Sequence, residues 1–130
     1  MSSKTKLFRV TSLLEFDLIK KGRFFKTESM WFKYYINTTD KDIPLKLSVA
    51  VSKKYGNAVK RNLFTRRVKS SFYNCGKTNK LPNNILLLVG VDRNYENEVP
   101  FSEIEISIQK FLRHINKNNT NVERVNNNGV

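Results

Sequence analysis

The run ILLLVGV at residues 85–91 contains no polar side chain. A strand of that composition is stable only with cover on both faces, so the chain must build a sheet and pack something on each side of it. Residues 45–52, LKLSVAVS, make a different strand. There Leu45, Leu47, Val49 and Val51 alternate with Lys46, Ser48, Ala50 and Ser52, which gives one face to a core and leaves the other polar. MWFKYYIN, residues 30–37, is aromatic and β-prone, and TTDKDIP after it points to a short hairpin connection into residues 45–52.

Helical signals fill the remainder. Residues 12–21 open with Ser12 and Glu15 at capping-box spacing and close on Gly22, which can end the helix in the left-handed conformation. Further on, Phe64, Val68, Phe72 and Cys75 share one face of a second helix, with Asn62, Arg66, Lys69 and Tyr73 roughly opposite. A third begins with a capping box at Ser102 and Glu105, a staple of Phe101 and Ile106, and the buried stripe Phe101, Ile104, Ile108, Phe111 and Ile115. The order is helix, two or three strands, basic helix, strand, helix, which is one α/β sandwich with an open sheet. A chain of 130 residues fits one such domain, here residues 1–115. Residues 116–130 hold seven asparagines and no periodicity, and read as a disordered tail.

Charge decides the class of partner. The net charge is +13, and no Asp or Glu occurs between Asp42 and Asp92, a gap of 49 residues that holds ten Lys and Arg. Seven of these fall in residues 53–69. A face that serves solubility mixes signs; an unmixed one fits an anion, and phosphate matches clustered Lys and Arg best. Gly56 and Asn57 supply a tight loop before the basic helix. An anionic membrane would need an exposed apolar stripe on that helix, but Phe64, Val68 and Phe72 are wanted by the sheet. No window reaches the roughly 18 apolar residues of a membrane span, and the N-terminus lacks the apolar core of an export signal. The single cysteine, Cys75, excludes an internal disulfide and fits a reducing compartment, so the expected location is cytoplasmic.

Hydrolytic chemistry finds little to work with. Metal-dependent nucleases need carboxylates to hold Mg2+, and the basic region has none. The only histidine, His114, has no sequence cue pairing it with Cys75. On the strand side, Lys46, Ser48 and Ser52 offer a polar, positive face. Aromatics among Trp31, Phe32, Tyr34 and Tyr35 can stack unpaired bases at about 1–3 kcal/mol each, although at least half must be core.

Residues 51–72, VSKKYGNAVKRNLFTRRVKSSF, are similar to the protein subunit of bacterial ribonuclease P. That family carries Ser-Lys-Lys-x-Gly-Asn-Ala-Val-x-Arg-Asn-Arg-x-Lys-Arg ahead of an amphipathic helix. Ser52, Lys53, Lys54, Gly56, Asn57, Ala58, Val59, Arg61, Asn62 and Arg66 match it, ten of fifteen positions. Leu63 and Thr65 replace basic family residues, and Arg67 restores one charge on a neighbouring face. The first helix of the family offers two aromatics to a cleft; Phe16 is one, while Ile19 or Lys20 holds the other place. Weaker or rearranged RNA contacts are expected from these departures, not another function.

The resemblance implies an order α-β-β-β-α-β-α around a four-stranded sheet, a two-layer α/β (α+β) sandwich with the basic helix in a left-handed βαβ crossover. It implies a cofactor protein for a catalytic RNA that removes the 5′ leader from precursor tRNA, with Mg2+ held by the RNA and no catalytic or metal-binding residue in the protein. Lys53, Lys54, Asn57, Lys60, Arg61, Asn62, Arg66, Arg67 and Lys69 would dock on the RNA. Phe16, Tyr34, Lys46, Ser48, Ser52 and Lys53 would line a cleft for the single-stranded leader. Neither a membrane nor an obligate protein partner is expected. The alternative is a basic ribosomal or ribosome-associated protein, which has the charge and size but no need of the matched run.

Overall fold

The computed structural model describes residues 7–37, 43–78 and 81–128. Its elements are β1 (Phe8–Arg9), α1 (Leu13–Lys20), β2 (Arg23–Lys26), β3 (Met30–Ile36), β4 (Lys46–Ala50), α2 (Ala58–Thr78), β5 (Ile85–Val91) and α3 (Phe101–Asn128), with a 3-10 turn at Lys53–Tyr55. Across the sheet the order is β1-β4-β5-β3-β2. The all-apolar strand takes the centre, parallel to β4 and antiparallel to β3. This overturns the expected hairpin: β3 and β4 are not neighbours, because β5 lies between them. Residues 38–42 of that connection lie outside the described residues. The sheet also has five strands, not four. Two-residue β1 runs parallel beside β4, Phe8 opposite Lys46, and is too short to register as an alternating pattern.

One sheet face carries the main core. Phe64, Val68 and Phe72 of α2 and Ile104, Ile108, Phe111 and Ile115 of α3 pack on Met30, Phe32, Tyr34, Leu47, Leu87 and Val89. Phe111 stacks on Phe32 with ring centroids 4.7 Å apart and planes 4° from parallel. The other face is covered in part by α1, whose Ile19 meets Val10 and Leu86, with Phe16, Leu18, Tyr35 and Leu88 half-buried beside them. β5 thus has the cover on both sides that its composition demands, and a stretch of outer face is left open.

Local signals were obeyed unevenly. Ser12 caps α1 and forms the capping box with Glu15. Gly22 does not adopt the left-handed conformation, and no described glycine lies in that region. It is needed instead for close approach, since a Cβ there would lie 2.0 Å from the Tyr34 carbonyl oxygen. Asn84 is the described non-glycine residue at positive φ, 64°. Its backbone N–H donates to the Ile43 carbonyl (2.6 Å), its Oδ1 accepts from the Ile43 N–H (2.8 Å), and its carbonyl accepts from the Asn37 N–H (2.7 Å). One residue thereby ties together the segments that end β3, precede β4 and start β5.

α3 begins at Phe101, its first bond running from the Ile104 N–H to the Pro100 carbonyl. Ser102 therefore sits inside the first turn, no hydrogen bond joins it to Glu105 among the described residues, and Phe101 and Ile106 stay exposed. The helix continues to Asn128. Burial along the stripe runs from Ile104 to Ile115, and lengthening an existing helix adds a bond per residue without a new nucleus. Residues 129–130 lie outside the described residues.

Candidate nucleic-acid interface

Two surfaces emerge, one on α2 and one on the outer sheet face. Asn57 starts α2: its Oδ1 accepts from the Lys60 N–H and its carbonyl from the Arg61 N–H, both at 3.0 Å. Phe64, Val68 and Phe72 are fully buried, so the helix can be oriented by its period of about 100° per residue. Asn62, Arg66 and Lys69 fall together on the solvent stripe, all exposed, with Tyr73 beyond them and Lys77 over its ring at 4.8 Å. Lys60 and Arg67 lie on one flank. Arg61 leaves from the buried side, is half-buried, and its Nε is enclosed without a hydrogen-bond acceptor. Leu63 is half-exposed, while the Thr65 hydroxyl turns back to donate to the Arg61 carbonyl (3.0 Å), so neither replaces the charge of a basic residue.

Lys53 and Lys54 lie in the 3-10 turn that joins β4 to this helix, both exposed. The turn is anchored by Tyr55, whose ring packs on Phe64 (5.5 Å between centroids) and whose hydroxyl accepts from the Val99 N–H at 3.1 Å. Burial pushes the Tyr55 hydroxyl's pKa up, which keeps it protonated. The ion pairs of the described residues are Lys20–Asp17, Lys26–Asp92 and Lys46–Glu15. None involves a cation of residues 53–69. Their charge stands unneutralised on a rigid helix and turn.

The outer face is set by register. Residues opposite one another across strands share a face, so Lys46, Ser48 and Ala50 of β4 align with Leu86, Leu88 and Gly90 of β5 and with Tyr35, Lys33 and Trp31 of β3. Phe16 borders this face on α1 but is half-buried against the Leu86 cluster. Ser48 is half-exposed, and Ser52 and Lys53 are exposed where β4 ends.

Tyr34 does not belong to this face. It is 1% exposed, its ring edge-on to Phe111 at 5.4 Å in the main core. The strand period of two puts Tyr34 with Met30 and Phe32, and puts Trp31, Lys33 and Tyr35 outside. The sequence did hold the clue: a lysine in mid-strand belongs to the outer face, so the aromatics two residues either side of Lys33 share that face, Tyr35 half-buried under α1. Lys33 and, on β2, Phe24 are the residues of this face that the sequence reading did not name, while Trp31 and Tyr35 are the two of its four candidate aromatics that lie here.

Lys46 is on the expected face, but its charge is engaged. Its Nζ lies 2.5 Å from Glu15 Oε2, while Glu15 Oε1 accepts from the N–H groups of Thr11 (3.3 Å) and Ser12 (3.5 Å). Above all the Lys46 hydrogen bond holds the Glu15 carboxyl below its usual 4.5. A carboxyl depressed by folding adds stability that is complete above its unfolded pKa and is lost as pH falls through the folded one. In melting experiments the wild type should therefore exceed Glu15→Gln at neutral pH, since glutamine keeps the cap but not the ion pair. The gap should begin to narrow as the pH falls past the ordinary carboxylate value and close only below the lowered folded one. A gap independent of pH would show that the pair adds nothing.

Among the described residues, no group of three or more His, Cys, Asp or Glu side chains is placed to hold a metal ion. No described helix is long and apolar enough to cross a membrane.

A family described as Ribonuclease P matches residues 5–116. The fold is similar to that of the Staphylococcus aureus RNase P protein, with 25% sequence identity and a TM-score of 0.66, covering 86% of this chain and 97% of that one. It is similar too to the RNase P protein from Thermotoga maritima, at 23% identity and a TM-score of 0.67, covering 82% and 96%. None of the curated proteins compared by sequence matches the chain.

Proposed function

We propose a division of labour for this chain, which belongs to the ribonuclease P protein family and is a protein subunit of that tRNA-processing ribonucleoprotein. The exposed cations of α2 and its preceding turn dock on the catalytic RNA, and the outer sheet face under α1 holds the 5′ leader of precursor tRNA. Hydrolysis belongs to the RNA, which holds the Mg2+. The protein works in the cytoplasm as a single RNA-binding domain, residues 1–115, with residues 116–130 outside it.

One observation carries this reading: Lys53, Lys54, Lys60, Arg61, Arg66, Arg67 and Lys69 are unpaired with any acid among the described residues and are fixed on one helix and turn. Cations so placed offset the repulsion between two polyanions, which is the physical obstacle to bringing a precursor onto a catalytic RNA. Arg61 fits the scheme in a particular way. Its Nε is enclosed, so a phosphate would be met by the terminal nitrogens of the guanidinium, which are not among the enclosed, unpartnered atoms. Contacts to phosphates and unstacked bases carry little sequence information, as varied leaders require. A leader grip remote from the scissile bond positions the substrate without taking part in the chemistry.

The test is to add the purified chain to a bacterial ribonuclease P RNA and precursor tRNA at low Mg2+. The expected result is faster 5′ maturation, with no cleavage when the RNA is omitted. An unchanged rate would favour a structural RNA-binding protein, and cleavage without RNA would place the catalyst in the protein.

A further inference from the structure

The open sheet face continues beyond the cleft. At the far end of β3, Trp31 lies over Gly90, where a Cβ would come within 2.3 Å of the indole and 2.7 Å of the Ala50 carbonyl oxygen. Only glycine lets the ring lie on the strand. Beside it, Phe24 of β2 is nearly parallel, 16° between planes and 6.5 Å between centroids, and is 59% exposed. The two rings pave a floor, with Lys33 opposite Phe24 in the strand register.

Next to this floor a groove of about 950 Å³ opens at the ends of β4 and β5, lined by Trp31, Ser52, Lys54, Tyr55, Arg93 and Asn94 among others. Two acids also line it. Asp92 is paired with Lys26 at 3.1 Å, which leaves Glu96 against Lys54 and Arg93. A flat indole, flanking cations and amide side chains suit an unpaired nucleotide: the base finds a stacking surface and its phosphates find charge.

We propose that Trp31, supported by Phe24, stacks a base of the precursor's leader, with the adjoining phosphates on Lys54 and Arg93. This rests on the leader reading above and extends it. The leader then runs the length of the outer face, from Phe16 and Ser48 to Trp31, and nucleotides beyond the first few add binding energy.

Trp31 is the sole tryptophan of the chain, so its emission reports directly. Titrating a short oligoadenylate into the full chain should quench it. In the holoenzyme, Trp31→Ala should weaken a precursor with a long single-stranded leader by about 5- to 150-fold, the range for one base on one aromatic ring. It should leave a one-nucleotide leader unaffected, and Trp31→Phe should retain most of the long-leader affinity. Phe24→Ala, which removes an exposed ring, should give a smaller loss with the same dependence on leader length and guards against misfolding of Trp31→Ala. Absence of quenching, or equal losses with both precursors, overturns the proposal. If the wild type gains affinity from a long leader and both alanine variants gain as much, only this inference fails. If the wild type gains nothing from the longer leader, the leader reading itself fails and this one with it.

Discussion

Alanine at both Arg66 and Lys69 should lower the affinity of the chain for a bacterial ribonuclease P RNA by about 10²-fold while the melting temperature stays put. Each hydrogen bond to a charged group contributes roughly 1.5–3 kcal/mol, and two lost at the lower end give about 3 kcal/mol, or two decades. Both side chains are exposed on the stripe opposite Phe64, Val68 and Phe72, and neither has an ion-pair partner among the described residues. Removing them leaves nothing unsatisfied inside the protein, and alanine is the best helix former. Binding by gel shift and melting by circular dichroism on the same preparation separate the two effects. Undiminished affinity would remove α2's solvent stripe from the docking surface.

Phe111→Ala should have the opposite profile, a large loss of stability from a residue far from any RNA contact. Phe111 is wholly buried, stacks on Phe32, lies edge-on to Tyr34 and touches Phe25 at 6.0 Å between centroids. It joins α3 to the sheet through three rings, so little can move in to fill its place. Large-to-small changes of this kind destabilise by about 3–5 kcal/mol, against a total of roughly 5–15 for a domain. The melting temperature should fall by about 10–20 °C. A fall of a degree or two would mean that α3 is not integral to the core.

The sequence disclosed the fold wherever one residue type forced a side. Seven apolar positions in a row demanded cover on both faces of β5, and the alternation of β4 and the stripe of α2 appear in the structure as read. What escaped was information held between distant residues. Nothing local says that β5 inserts between β3 and β4, or that Glu15 neutralises Lys46 from 31 positions away. Tyr34, offered to the cleft by the resemblance, is buried in the main core, as the register set by Lys33 beside it implies. Gly22 and Gly90 are glycines because a carbonyl and an indole approach them, contacts that turn chemistry cannot anticipate. The stripe of Asn62, Arg66, Lys69 and Tyr73 was legible from helical spacing, but the half-buried place of Arg61, with its Nε enclosed, was not.

The salt dependence of binding to the RNA tests the central claim most directly. If about six of the cations in residues 53–69 rest on phosphates, log K against log[salt] should have a slope of roughly −4 to −5, and Arg66→Ala with Lys69→Ala should make it shallower by about 1.5. A slope near zero, or one unaltered in the double variant, would contradict docking through this surface.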